Sequence, residues 1–100
     1  MKNATVFVKV ESEFVSNVIT NAINSAKATE EALSVYRKNG IARKSGKLVL
    51  TIAEANTLAR ALENYSETTE HAASYKMAKS LAFAVRMRTA QACKNAKANA

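Results

Sequence analysis

The chain has 100 residues, of which 48% are hydrophobic, and its fifteen basic and eight acidic residues give a net charge of +7. This length allows one domain with a modest core, and the apolar content excludes an intrinsically disordered protein. One cysteine excludes an intrachain disulfide, and no run of about 18 apolar residues is present to span a membrane. We therefore expect a single cytoplasmic domain over residues 1–100, with residues 95–100 frayed.

The basic residues fall into two blocks. Residues 36–50 carry five bases and no acid, and residues 76–100 carry six bases and no acid, whereas the two remaining stretches are slightly acidic. Blocks of one sign attract nucleic acid, acidic proteins or anionic membrane surfaces.

The first predicted element is a strand over residues 4–10, where valines alternate with Thr5, Phe7 and Lys9. A long helix is predicted next, with Ser12 at its N-terminus. Its apolar positions recur at spacings of three and four, as one helix face requires. These positions are Val15, Ile19, Ala22, Ala26, Thr29, Leu33 and Tyr36. A left-handed turn at Gly40 should end this helix.

A second short strand is predicted over residues 47–50. The sequence from Thr51 to Glu54 is a capping box that predicts a second helix, which the polar stretch 64–70 should end. The third and longest helix should follow over residues 70–97.

The third helix carries apolar residues on two sides. Leu81 and Val85 share one face, whereas Phe83 and Met87 lie on another. A helix of this kind is buried on two sides or contacts a second subunit. We therefore expect a homo-oligomer, with a dimer favoured.

The predicted fold class is α+β and predominantly helical, in the order β-α-β-α-α, with two short strands and a long C-terminal helix. Two strands joined by a long helix can pair in either direction, so the sequence leaves the strand pairing open.

Several chemistries are excluded by spacing. Gly40 and Gly46 are one residue too far apart for a P-loop, and Leu48 occupies the position of the required Ser or Thr. His71 and Cys93 lie 22 residues apart on one predicted helix, about 33 Å, so they cannot form a nucleophile pair. One His and one Cys are too few for zinc. We expect no enzyme, no catalytic residues, no metal and no cofactor.

The candidate binding residues are basic side chains from the two blocks, suited to phosphate contacts. They are Arg37, Lys38, Arg43, Lys44 and Lys47 from the loop before the second strand, and Lys79, Arg86, Lys94 and Lys97 from the third helix. We expect Phe83 and Met87 to be core or dimer contacts, and Arg88 to pair with Glu54 or Glu63.

These features predict a non-enzymatic basic protein that binds an anionic partner, with nucleic acid favoured through backbone contacts. An acidic protein surface is the alternative: the chain would then be an inhibitor or adaptor, of the kind found in phages and mobile elements, that docks on an acidic or nucleic-acid-binding site of a larger assembly. A small anionic ligand held at a subunit interface is a third possibility. No membrane partner is expected.

Overall fold

The computed structural model describes residues 5–98 as four α-helices and two β-strands. The elements are, in chain order, β1 (Thr5–Lys9), α1 (Glu13–Asn24), α2 (Glu30–Ser45), β2 (Lys47–Thr51), α3 (Ile52–Thr68) and α4 (Ala72–Ala98). The α+β, predominantly helical class and the long C-terminal helix are confirmed. The element order contains one more helix than predicted.

The two strands form an antiparallel ribbon, in which Thr5 lies opposite Thr51 and Lys9 opposite Lys47. Side chains alternate along both strands, because successive residues of a strand point to opposite faces. The buried face supplies four residues of the core, which are Val6, Val8, Leu48 and Leu50. The other face is open to solvent and is described with the candidate site.

The long helix predicted before the second strand is two helices, because helical structure is interrupted between Ser25 and Thr29. The hydroxyl of Thr29 accepts the backbone N–H of Ala32 at 3.1 Å and so begins α2. An N-terminal cap of this kind satisfies a donor that has no partner within the helix. Sequence periodicity missed the break because apolar spacing of three and four continues across it.

The predicted basic loop over residues 37–47 is mostly helix, since α2 continues to Ser45. Gly40 lies within this helix, so the predicted stop at Gly40 is wrong. Gly46 ends the helix instead, with φ at 75° and its N–H bonded to the Ala42 carbonyl at 2.7 Å. This left-handed conformation is one that glycine adopts without a steric penalty.

The break also changes which residues of α2 are buried. Leu33 and Tyr36, which continuous periodicity placed on the apolar face, are 50% and 48% exposed. Val35, Asn39 and Ala42 face the core instead. The buried amide of Asn39 is satisfied, because it donates to the Ser16 carbonyl at 3.1 Å and to Thr20 Oγ1 at 2.9 Å.

Helix α3 begins with the predicted capping box. Thr51 Oγ1 accepts the Glu54 N–H at 3.1 Å, and a Glu54 carboxylate oxygen accepts the Thr51 N–H at 2.9 Å. The helix continues to Thr68, beyond the break predicted from residue 64. The hydroxyl of Ser66 donates to the Glu63 carbonyl at 2.7 Å, so this polar residue is accommodated within the helix.

Helix α3 lies at the centre of the molecule, where it packs against α4 most extensively and also contacts α1, α2 and both strands. Helix α2 packs beside β2, and α4 packs beside β1. The ribbon therefore has one of these helices along each edge, and within residues 5–98 α2 and α4 do not contact each other.

Helix α4 is nearly as long as the molecule, whose largest dimension is 43 Å. Fraying was predicted over residues 95–100. Helix α4 continues to Ala98, and Asn99 and Ala100 lie outside the described residues. Across residues 5–98, no helix combines the length and the apolar character that crossing a membrane requires.

Candidate functional site

The solvent face of the ribbon combines apolar and basic side chains. We call it the ribbon face; it consists of Thr5, Phe7, Lys9, Lys47, Val49 and Thr51. Phe7 and Val49 lie opposite each other and are 45% and 40% exposed. Large apolar side chains on an open sheet face are available for contact with a ligand.

Hydrogen bonding along the ribbon fixes the orientation of the Phe7 backbone. The Val10 N–H donates to the Gly46 carbonyl at 2.9 Å, so Val10 and Gly46 are a hydrogen-bonded pair. Hydrogen-bonded and non-hydrogen-bonded pairs alternate along an antiparallel ribbon, and this alternation makes Phe7 and Val49 a non-hydrogen-bonded pair. Side chains in such pairs lie close together, and their backbone groups point away from the partner strand. The Phe7 carbonyl thus points to the edge of β1 that is not paired with β2, where Arg88 donates to it at 2.6 Å.

Phe7 brings together cations from distant parts of the chain. The Lys47 ammonium lies 4.4 Å from the centre of the Phe7 ring, within the range of a cation–π interaction. Arg88 of α4 contacts the backbone of the same residue, and Lys9 lies opposite Lys47 in the ribbon. The prediction that Arg88 pairs with Glu54 or Glu63 is wrong, because its partner is the Phe7 carbonyl.

The second open surface follows the length of α4. We call it the α4 face; it consists of Lys76, Lys79, Phe83, Met87, Lys94 and Lys97, which a period of 3.6 residues places on one side of the helix. Phe83 and Met87 are 68% and 58% exposed, so in the single chain they are surface residues and not core. Helix α4 contains no acidic residue.

Two of the nine candidate cations are neutralised by carboxylates. Lys38 Nζ lies 2.6 Å from Glu54, and Arg86 donates two hydrogen bonds to Glu63 at 2.9 and 3.0 Å. The hydrogen bonds from Arg86 are the main reason that the pKa of Glu63 is below its ordinary value. Lys38 and Arg86 therefore contribute less to an anion-binding surface than the sequence suggested.

Glu54 is a buried charge with an unusually complete set of donors. Burial by itself would raise its pKa, but hydrogen bonds from Lys38, Ser34 and the Thr51 N–H outweigh that effect and lower the pKa to about 2. Glu54 is therefore ionised at neutral pH and joins α2 to the start of α3.

Arg43 is held by uncharged groups. Its side chain donates to Ser16 Oγ at 2.8 Å and to Asn17 Oδ1 at 2.9 Å, which joins α2 to α1. The positive charge is retained, but the guanidinium is engaged in tertiary contacts.

The other six candidates lie on the surface. Within residues 5–98 the two ion pairs above are the only ones, so these six have no carboxylate partner there. They are Arg37 and Lys44 on α2, Lys47 on β2, and Lys79, Lys94 and Lys97 on α4. The Lys79 ammonium lies 5.3 Å from the centre of the Tyr75 ring, which leaves its charge available.

The ribbon separates the two predicted cationic blocks, because α2 and α4 lie along opposite edges. Of the five candidates from residues 37–47, only Lys47 lies on the ribbon face, between α2 and α4. The candidates predicted from the sequence do not include Lys9 and Arg88, which contribute cations to the same region. The alternation of buried and exposed residues in β1 could have identified Lys9. The position of Arg88 beside the ribbon depends on how α4 packs, which the sequence pattern does not reveal.

Across residues 5–98, no group of three potential metal-ligating side chains occurs. No family model, curated protein or solved structure matches the chain. Function is therefore inferred from the chemistry of the exposed surfaces.

Proposed function

We propose that this protein is a non-enzymatic binding protein for nucleic acid, which it contacts mainly through the phosphate backbone. The observation that carries the proposal is the α4 face, where four exposed lysines follow a helix without acidic residues. From Lys76 to Lys97 the helix rises about 32 Å, which matches about nine phosphates at about 3.4 Å per nucleotide. Lysines on flexible side chains contact phosphates without reading the sequence.

The ribbon face supports the same function by a different interaction. An exposed aromatic ring beside cations is the arrangement on which unpaired bases stack, and such stacking tolerates any base. Phe7 supplies the ring, and Lys9, Lys47 and Arg88 supply the cations near it. We therefore expect single strands to bind at least as well as duplexes.

The proposal is tested by measuring affinity for a labelled oligonucleotide, by fluorescence anisotropy, over a range of salt concentrations. Affinity should fall steeply with salt, because phosphate contacts release counterions. Combining Lys94→Gln with Lys97→Gln should reduce the slope of log affinity against log salt by between about 1 and 2, since each lost phosphate contact contributes about 0.7–0.9.

The matched control combines Lys27→Gln with Arg60→Gln. These residues are exposed beside the turn between α1 and α2, and the pair removes the same net charge. The control should leave the slope almost unchanged. Affinity that does not depend on salt, or equal effects of the two double variants, would contradict the proposal.

The α4 face also favours a second candidate, an inhibitor or adaptor that binds an acidic protein surface. Phe83 and Met87 are the kind of large apolar side chains that protein interfaces bury, and lysines surround them. Purification from lysate after nuclease treatment separates the candidates. One stoichiometric protein partner that is lost with Met87→Ser would support the second.

A further inference from the structure

A small cleft lies between strand β1 and the C-terminal half of α4, with a volume of about 330 Å³. Ligand pockets range from about 300 to 1,000 Å³, so this cleft has room for one small ring system and its substituents. Within residues 5–98 no carboxylate lines it. Its lining includes Thr5, Phe7, Arg88, Gln91, Ala92 and Asn95.

Phe7 provides the aromatic wall of the cleft. The Lys47 ammonium lies over the Phe7 ring, 4.4 Å from its centre, and Lys47 is not among the residues that line the cleft. The cation therefore occupies one face of the ring, and the opposite face is left for a ligand. Stacking on an exposed aromatic ring is an interaction by which proteins hold unpaired bases.

Two amides form the opposing wall. Gln91 Nε2 donates to Asn95 Oδ1 at 3.0 Å, which fixes the two side chains relative to each other. Within residues 5–98 this is the only hydrogen bond of either side chain, so the Gln91 carbonyl oxygen is left as an acceptor and the Asn95 NH₂ group as a donor. Base edges carry a donor beside an acceptor, and amide side chains pair in this way with N6 and N7 of adenine.

The combination of walls favours a base over a side chain of a protein partner. An apolar side chain in the cleft would displace water from Arg88, Gln91 and Asn95 and leave their polar groups unpaired, which is unfavourable. An acidic side chain would pair with Arg88 but would meet the negative face of the Phe7 ring. A base can stack on the ring and bond to the amides at the same time.

The cleft also lies beside the α4 face. Gln91 follows Met87 by four residues and precedes Lys94 by three, so helical geometry makes it a neighbour of both. Arg88 uses one N–H on the Phe7 carbonyl and has further donors for a phosphate. A strand whose phosphates follow the lysines of α4 therefore passes the cleft closely enough to turn one base into it.

We propose that the cleft between β1 and α4 binds one unpaired base of the strand whose phosphates contact the α4 face. The base stacks on Phe7, on the side opposite Lys47, and its edge is hydrogen-bonded by Gln91 and Asn95. This inference rests on the proposed function and extends it, because binding then depends on a base as well as on phosphates.

Two synthetic strands separate the base from the phosphates. One is an abasic oligonucleotide of about 17 residues, and the other carries a single adenine at its centre, so that about eight phosphates lie on either side and the α4 face can be followed in both directions. Fluorescence anisotropy should show the adenine strand binding roughly tenfold more tightly, as one stacked base contributes. The dependence on salt should be the same for both strands, because their phosphates are equal in number.

Variants then assign this gain to the cleft. Phe7→Leu keeps an apolar side chain without the ring, and it should remove most of the gain while leaving the affinity for the abasic strand unchanged. Combining Gln91→Leu with Asn95→Leu should reduce the gain by about threefold, since hydrogen bonds to the base are lost.

Tyr75→Leu is the matched control. Tyr75 is also an exposed ring near a lysine, but it lies about 24 Å along α4 from Gln91, so the gain should persist in this variant. Equal affinity for the two strands, or a gain that Tyr75→Leu lowers as much as Phe7→Leu does, would overturn this inference. Binding of the abasic strand that does not depend on salt would instead contradict the proposed function, and binding of neither strand would overturn both.

Discussion

At the scale of single residues, Glu54 shows how one carboxylate removes a cation from the surface. Its side chain accepts hydrogen bonds from Lys38, Ser34 and the Thr51 N–H, and it is only 9% exposed. Lys38 is therefore a structural residue that connects α2 to α3. Its inclusion among the candidate binding residues followed from the composition of the segment, which does not reveal a partner 16 positions away.

The hydrogen-bonded carboxylate of Glu54 should stabilise the fold. Glu54→Gln should lower the free energy of unfolding by about 2 kcal/mol at pH 7, because hydrogen bonds to a charged group are lost. Urea unfolding followed by circular dichroism measures the change. Glu63→Gln is the control, since the exposed Glu63–Arg86 pair should contribute less than about 1 kcal/mol.

Glu54 also makes the stability of the protein depend on pH. The pKa of Glu54 is lowered from 4.5 to about 2 on folding. A lowered pKa stabilises the protein above the unfolded value, so this contribution is complete above pH 4.5 and is lost as the pH falls toward 2. The difference between the unchanged chain and Glu54→Gln should therefore shrink below pH 4.5. A difference that stays constant between pH 7 and 3 would contradict this assignment.

At the scale of elements, the break between α1 and α2 determines which side chains of α2 reach the surface. A continuous helix would have buried Leu33 and Tyr36, whereas the break restarts the helix at Thr29 and turns Val35, Asn39 and Ala42 to the core. The exposure of Leu33 and Ile41 therefore follows from the restart of the helix at its N-terminal cap, Thr29.

The two glycines of the chain provide a matched pair of predictions. Gly40→Ala should raise the free energy of unfolding by about 1 kcal/mol, because alanine favours a helix interior and its Cβ meets no atom. Gly46→Ala should lower it by about 1 kcal/mol, because φ is 75° there.

Thermal or urea unfolding of dilute protein measures both glycine variants. The nearest atom to a Cβ at Gly46 is 3.7 Å away, an ordinary contact, so backbone conformation alone accounts for the expected loss. Destabilisation by both variants would show that Gly40 has an intrachain role.

At the scale of the whole molecule, the ribbon keeps the α2 and α4 cations on opposite edges. A short ligand that lies along α4 cannot reach Arg37 and Lys44 on α2. Self-association through the α4 face would bring lysines together, which is unfavourable. The dimer that the sequence predicts through the third helix stays a prediction.

This separation predicts a dependence on ligand length. An oligonucleotide of about nine residues should bind equally well to the unchanged chain and to the double variant Arg37→Gln with Lys44→Gln, because the α4 face spans about that many phosphates. The variant combining Lys94→Gln with Lys97→Gln should weaken that binding. Fluorescence anisotropy with short and long oligonucleotides checks this, and equal effects of both variants on the short one would contradict it.

Features that depend on near neighbours were predictable from the order of the residues. The alternation of valines with other residues identified the first strand, the spacing from Thr51 to Glu54 identified the start of α3, and the composition of residues 76–97 identified a long basic helix. Hydrogen bonds and side-chain contacts over three or four positions produce these patterns, so they are visible in the residue order. The break at Thr29 was also local, but the continuing apolar spacing concealed it.

Which cations remain available depends on contacts between distant parts of the chain. Lys38 and Arg86 are paired with glutamates 16 and 23 positions away, and Arg88 reaches Phe7 across 81 positions. Contacts at such separations depend on how whole helices pack, and neither composition nor periodicity contains that information. The core drives this packing through burial of apolar area, and the surface charges are placed as a consequence.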